Sequence, residues 1–296
     1  MFKGITTPVM MALGEDKKIN NRSMASVIDF LINGKVDGLL FFGSCGEFFA
    51  FTQQEKMAFI KFACKYVAGR TRIFIGVGST NINEVIELAK YAETCQATGV
   101  VIISPYYFSF DEEGVFRFYE EILESIGLPV LAYNFPDRTG FSLTPTLLKR
   151  LALKYPHFVG VKDTVDTISH TREIINEVKS VRPDFCVYSG YDEYYLPNLL
   201  AGGDGAIAGL SNLFPEVYRS LYDDYVSGNY RSALDKAKFI SKAMSLYTCG
   251  DSYISALKYA MHLKGLPIND ISTSPIPPLN DEDKEKIKIL LNQLTY

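Results

Sequence analysis

Gly99-Val100-Val101-Ile102-Ile103 is apolar at every position after its glycine. A strand with one wet face alternates apolar and polar residues. An unbroken apolar run is what a strand shows when both faces are buried, as in a parallel sheet covered by helices. Seven other short runs, at residues 4–10, 38–42, 72–76, 129–133, 158–162, 185–189 and 205–208, have the same β-branched and aromatic character. Their starts are mostly spaced by about 30 residues, the length of a strand plus a crossover helix and its loops. Eight such units predict an α/β fold closed into a (β/α)8 TIM barrel. An open, doubly wound sheet is the alternative. No Gly-x-Gly-x-x-Gly follows the first strand, so dinucleotide binding lacks support.

The segments between the runs carry helix start signals. Thr52 with Glu55, Asn81 with Glu84, and Ser109 with Glu112 each place a cap residue three positions before a side chain able to cap back. Thr144 precedes Pro145, and proline suits the first helical position. Behind the caps, Met57, Ile60, Cys64 and Val67 fall on one face, as do Val85, Leu88, Ala92 and Cys95. After Ala208 the strand signals stop. Helices are expected at 215–227, 229–246, 251–263 and 281–294, the last two parted by Pro275-Ile276-Pro277-Pro278. The expected organisation is a catalytic barrel at 1–214 and a C-terminal helical extension at 215–296 packed on it.

Composition narrows the function classes. Of 296 residues, 47% are hydrophobic and 22% charged, the profile of a globular protein with a large core. The net charge of -4 is mild and the basic residues are scattered, so no electrostatic footprint for nucleic acid or an anionic membrane is present. Cys45, Cys64, Cys95, Cys186 and Cys249 are odd in number and widely spaced, which suggests neither a disulfide framework nor a zinc site. His157, His170 and His262 show no metal-ligand spacing, and no metal is expected. Met1-Phe2-Lys3-Gly4-Ile5 lacks a charged segment followed by a long apolar one, so a cytoplasmic protein is expected.

In a barrel of this type, chemistry sits at the carboxyl ends of the strands and in the loops that follow. The sixth run, Phe158-Val159-Gly160-Val161-Lys162-Asp163-Thr164, ends on a lysine. A lysine at the end of a buried strand is costly to keep charged, which favours the neutral, nucleophilic amine; the bland reading is a side chain that turns outward to water. Tyr133 closes the preceding strand at an equivalent position, so both side chains can face one mouth. A phenol beside an amine can exchange the protons needed to turn a carbonyl into an imine. Gly43-Ser44-Cys45-Gly46-Glu47 follows the second strand, and its amides can form an anion-binding nest. Lysine, phenol and nest together describe a site for a 2-keto acid.

Gly-Ser-x-Gly-Glu at 43–47, Pro-Tyr-Tyr at 105–107, Tyr-Asn-x-Pro at 133–136, Gly-Val-Lys-Asp-Thr at 160–164 and Gly-Gly-Asp-Gly-Ala-Ile at 202–207 occur in this order. In that order and spacing the chain resembles the pyruvate-dependent class I aldolases that include dihydrodipicolinate synthase, N-acetylneuraminate lyase and the 2-keto-3-deoxy sugar acid aldolases. The resemblance implies that Lys162 forms the Schiff base and that Tyr133 transfers the proton. It also implies that Ser44 and the amide of Cys45 hold the keto-acid carboxylate, and that Ile207 sets a backbone carbonyl near the lysine. Tyr107 would enter the site of a neighbouring subunit in a homotetramer, a dimer of dimers. No cofactor is implied beyond the covalent lysine; the partners are a small-molecule 2-keto acid and an aldehyde.

The aldehyde partner is signalled in two directions. Arg138, in Asn-Phe-Pro-Asp-Arg-Thr-Gly, resembles the arginine with which dihydrodipicolinate synthases grip aspartate semialdehyde. Gly190-Tyr191-Asp192-Glu193 resembles the stretch with which sugar acid enzymes accept hydrogen bonds from hydroxyls, and Phe135, Thr164 and Asp166 resemble the 2-keto-3-deoxygluconate type. Gly209 stands where neuraminate lyases carry a substrate-contacting serine. The favoured reading is a 2-keto-3-deoxy sugar acid aldolase, with a dihydrodipicolinate synthase as the alternative. Outside this class stand a non-catalytic keto-acid-binding barrel and a metal- or phosphate-dependent barrel enzyme.

Overall fold

The computed structural model describes residues 2–294. Eight parallel strands, β1 (Gly4–Pro8), β2 (Gly38–Phe41), β3 (Arg72–Gly76), β4 (Gly99–Ile103), β5 (Val130–Asn134), β6 (Phe158–Asp163), β7 (Cys186–Ser189) and β8 (Gly205–Ile207), close into a barrel in sequence order. The helices are α1 (Asn21–Asn33), α2 (Gln53–Val67), α3 (Ile82–Thr94), α4 (Glu112–Ser125), the single turn α5 (Pro136–Thr139), α6 (Pro145–Lys154), α7 (Ile168–Lys179), α8 (Tyr195–Leu200), α9 (Pro215–Val226), α10 (Tyr230–Ala243), α11 (Tyr253–Leu263) and α12 (Asp281–Gln293). None is long and apolar enough to cross a membrane.

The unbroken apolar strands are buried on both faces. Val101 and Ile103 point into the barrel beside Leu40, Phe74, Leu131 and Ile207. Val100 and Ile102 pack outward in the continuous core between sheet and helices. Each fully buried aliphatic side chain contributes about 1.5–3 kcal/mol, so the layered core is the dominant stabilising term.

Several strand ends differ from the sequence expectation by a residue or two. β1 stops at Pro8 rather than residue 10, because the Met10 amide turns away to Asn212 Oδ1 at 3.1 Å. β2 stops at Phe41 because Phe42 takes a left-handed backbone, φ 57°. β5 begins at Val130, since Pro129 has no amide to donate. β5 and β6 each run one residue further than expected, to Asn134 and Asp163, whose side chains bond across the ladder at 2.8 Å.

The caps divide similarly. Thr52 and Glu55 form the expected reciprocal box at α2, and Thr144 caps α6 ahead of Pro145. Asn81 caps α3, but Glu84 takes the Ser79 hydroxyl instead of capping back. Ser109 is not a cap. Asp111 starts α4 by accepting from the Gly114 amide at 2.8 Å, as a carboxylate suits the positive end of the helix dipole. Glu112 accepts from Thr144 Oγ1 and so links α4 to α6.

After β8, α9 packs against β1, and α10 packs along α9. The helix expected at 229–246 ends at Ala243 and tightens into a 3-10 turn, Met244–Thr248. Helix α11 packs against that turn and against the segment after β8, while α12 covers α11. The tail thereby reaches the carboxyl ends of the strands.

Candidate active site

β5 and β6 pair in register with Tyr133 opposite Lys162, and β6 and β7 with Lys162 opposite Tyr188. Lys162 is only 5% exposed, and its Nζ lies 4.1 Å from the centroid of the Tyr133 ring. Phe135 stacks on Tyr133 at 5.8 Å, and the Arg138 guanidinium covers Phe135 at 5.7 Å. A single wall thus carries amine, phenol and an outlying cation in sequence.

The strand ends under this wall are fixed by a polar network. Asp163 accepts from Asn134 Nδ2 at 2.8 Å, from Thr171 Oγ1 at 2.7 Å and from His170 Nδ1 at 3.0 Å. Asn134 Oδ1 accepts from the Leu143 amide, and His170 Nε2 lies 3.3 Å from Ser142 Oγ. Burial works against a charged His170, but the hydrogen bond and charge of Asp163 outweigh it and hold the imidazole above its ordinary pKa. A buried network with its members satisfied fixes geometry, here of the two residues that follow Tyr133 and Lys162.

Across the mouth lies the 43–47 loop. Its flanking residues Phe42 and Glu47 both have left-handed backbone, and its internal bonds run from Gly46 N to Gly43 O and from Glu47 N to Ser44 O. Among the described residues, the Ser44 and Cys45 amides have no backbone acceptor. Ser44 lines a cleft with Leu40, Phe48, Val101, Ile103 and Tyr133. Cys45 is buried, and that burial pushes its thiol up to about 11 while the nearby Lys162 charge pulls the other way.

The structure separates the acidic pair expected to meet substrate hydroxyls. Asp192 is buried and accepts from the Leu210 amide at 3.0 Å, from Tyr218 and from Tyr247 at 2.7 Å. Protein donors therefore occupy the role foreseen for a sugar hydroxyl. Burial pushes its carboxyl up against the pull of those donors. Glu193 differs: its Oε2 is buried without a hydrogen-bond partner among the described residues, and burial, reinforced by Asp192 and Asp166, raises its pKa. Thr164 Oγ1 is likewise buried and unpartnered among the described residues. That hydroxyl packs on Gly190, where any Cβ would stand 1.8 Å from it. Asp166 is taken up by the Tyr194 hydroxyl at 2.7 Å.

The remaining candidates are dispersed. Ile207 is in the barrel interior on β8. Tyr107 is 87% exposed with φ 85°, edge-on to the exposed Phe108, and so stands away from this chain's own cleft. Tail residues were not foreseen. Tyr247 reaches Asp192, and a Cβ at Gly209 would stand 2.3 Å from the Tyr247 hydroxyl, so a serine there would require that side chain to shift. Tyr253 packs edge-on to Tyr247, with its hydroxyl against the Cys45 thiol. A tyrosine on each side of the Cys249-Gly250-Asp251 helix break was the only signal, and it names no partner.

Among the described residues, no three or more His, Cys, Asp or Glu side chains are grouped to hold a metal ion. Comparison with known proteins places this geometry. The chain is 39% identical over 290 residues to the probable 2-dehydro-3-deoxy-D-pentonate aldolase YjhH of Escherichia coli K12, covering 98% of this chain and 96% of that protein. It is 37% identical over 294 residues to the putative 2-dehydro-3-deoxy-D-gluconate aldolase YagE of the same organism, covering 99% and 97%. The crystal structure of YagE in complex with pyruvate superposes with a TM-score of 0.97 over 99% of both chains. The dihydrodipicolinate synthase of Thermotoga maritima superposes with a TM-score of 0.94 at 26% identity, again over 99% of both chains. With the family's sequence pattern matched over residues 1–294, the chain belongs to the dihydrodipicolinate synthetase family.

Proposed function

We propose that this protein is a class I, pyruvate-dependent aldolase that reversibly cleaves a 2-keto-3-deoxy sugar acid, such as 2-keto-3-deoxygluconate, to pyruvate and an aldehyde. The observation that carries the reading is the dry pairing of Lys162 and Tyr133, with Nζ 4.1 Å from the ring at the carboxyl ends of β5 and β6. Lys162 attacks the C2 ketone, Tyr133 relays the protons, and water leaves as the iminium forms. The iminium accepts the electron pair of the C3–C4 bond as the C4 hydroxyl loses its proton, releasing the aldehyde and leaving an enamine. Protonation at C3 and hydrolysis release pyruvate and restore the amine. Ser44, through its amide, and the Cys45 amide hold the carboxylate, and Ile207 supplies a carbonyl beside the lysine. No group beyond the lysine is needed.

Thr164 Oγ1 and Glu193 Oε2, buried and unpartnered, support a hydroxylated substrate, whose hydroxyls would satisfy them. Gly190 lends backbone to the same wall, and Asp192 acts from beneath it. Relatives named as sugar acid aldolases support the same choice. The second reading, condensation of pyruvate with aspartate semialdehyde, is favoured by the exposed Arg138 guanidinium over Phe135. The catalytic groups come from 1–214, and the extension 215–296 props them. The exposed Tyr107, in left-handed backbone beside Phe108, supports a dimer of dimers in which it enters a neighbouring site. Five free cysteines suit a reducing cytoplasm.

Borohydride reduction with pyruvate, followed by peptide mass spectrometry, tests the chemistry: an adduct on Lys162 is expected, and its absence sinks the Schiff-base reading. Pyruvate release from 2-keto-3-deoxygluconate, set against condensation with aspartate semialdehyde, tests the substrate. Condensation alone would select the second reading.

A further inference from the structure

Glu47 and Lys258 are both fully buried and form an ion pair that the reaction chemistry above does not use. Glu47 ends the 43–47 loop, two residues after Cys45; Lys258 lies on α11 of the tail. Glu47 Oε2 also accepts from the Thr273 amide at 2.6 Å and the Thr273 hydroxyl at 2.7 Å, and Lys258 Nζ donates to the Ile271 carbonyl at 2.8 Å. Burial works to discharge Lys258, and Glu47 opposes it.

The loop is not self-supporting. Two non-glycine residues, Phe42 and Glu47, hold left-handed backbone around it, and its own bonds are two short-range amide contacts. Such strain persists only where surrounding structure imposes it. Helix α11 supplies that structure at two points, Tyr253 against Cys45 and Lys258 on Glu47. A buried ion pair is often replaceable by apolar side chains without loss of stability, so stability alone does not explain two charges here. The pair does two other things. It fixes the loop against the tail, and it neutralises a carboxylate that would otherwise repel the substrate's own carboxylate from the neighbouring nest.

We propose that Glu47 and Lys258 are positioning residues for the keto-acid carboxylate, the buried pair clamping the loop to α11 so that the Ser44 and Cys45 amides face it. The proposal rests on the assignment of those amides and of Lys162 made above.

The test compares two carbonyl compounds on the same lysine: pyruvate, which has the carboxylate, and acetone, which does not. Borohydride trapping on Lys162 is measured against the concentration of each in the parent protein and in Glu47→Gln/Lys258→Met. In the double variant the pyruvate concentration for half-maximal trapping should rise about tenfold, the loss of one charge-assisted hydrogen bond, while that for acetone stays within about twofold. The limiting trapping rate with saturating pyruvate should stay near the parent value. An unchanged preference for pyruvate over acetone overturns the proposal, because a purely structural pair would lower the melting temperature and leave the preference alone. Should the double variant fail to fold, Lys258→Arg keeps the charge but alters the geometry and takes the same measurement: a weakened preference supports the clamp, and an unchanged one overturns it. Absence of any adduct in the parent overturns the Schiff-base reading itself, and this proposal with it.

Discussion

The two walls of the barrel mouth are built by different means. The β5–β6 wall, with Tyr133 and Lys162, is made by neighbouring strands in register and braced by residues close in sequence, Asn134, Asp163, His170 and Thr171. The opposite wall joins the 43–47 loop to residues more than 200 positions later, through Glu47 with Lys258 and Thr273 and through Cys45 with Tyr253. Asp192 joins β7 to the tail in the same way, through Tyr218 and Tyr247. A wall set by strand pairing tolerates changes outside it; one closed by the tail depends on distant contacts. The first wall should therefore respond to substitution in chemistry, and the second in substrate affinity and stability.

Lys162→Ala is the sharpest test of the first half of that contrast. It should lower kcat on the order of 10^4-fold or more and abolish the trapped adduct, since the nucleophile is gone. Tyr133→Phe should lower kcat by roughly 10^2- to 10^3-fold, the loss of one proton-transfer group, with the melting temperature near that of the parent. Turnover assays paired with thermal melts check both.

After β7, beside the first wall, neighbouring acidic residues should part company. Asp192→Ala strands the Leu210 amide and the Tyr218 and Tyr247 hydroxyls, and should cost roughly 3–5 kcal/mol in denaturant melts. Glu193→Gln should shift stability by no more than about 0.5 kcal/mol but raise KM for the sugar acid about tenfold. If Asp192→Ala melted like the parent and Glu193→Gln did not, the two walls would have to be redrawn.

The smallest expected effect is electrostatic. Folding raises the pKa of His170 through Asp163, against burial. Its contribution to stability is therefore complete below the unfolded value, about 6.5, and is lost as pH rises through the higher folded value. The groups facing it are Asp163, Ser142 and Glu173. The melting-temperature gap between parent and His170→Gln should be wider at pH 6 than at pH 9. A gap that widens toward alkaline pH would refute the bracing role of the Asp163–His170 pair.

Local features of the chain were enough to place the first wall. The unbroken apolar runs foretold strands buried on two faces, and the lysine at the end of one and the tyrosine at the end of the strand before it foretold neighbours at one mouth. Errors at strand ends were small; the missing amide of Pro129 and the turn at Phe42 are local causes, whereas the early end of β1 comes from the distant Asn212. Ser109 misled because Asp111, two residues on, caps better. The resemblance to the aldolases rested on residues in these same loops.

What the sequence alone determined was the barrel and the Lys162–Tyr133 pair, because strand register follows from periodicity and chain order. Only the tertiary structure decided that Asp192 is spent on Tyr218 and Tyr247, that Glu193 and Thr164 keep oxygens unpartnered among the described residues, and that Lys258 pairs with Glu47 at the end of the 43–47 loop. The contacts of Asp192 and Glu47 depend on where the tail lands, and no spacing within the chain encodes which buried carboxylate it will meet. Burial makes that meeting consequential: a carboxylate away from water must be matched by donors, and the fold chooses which ones.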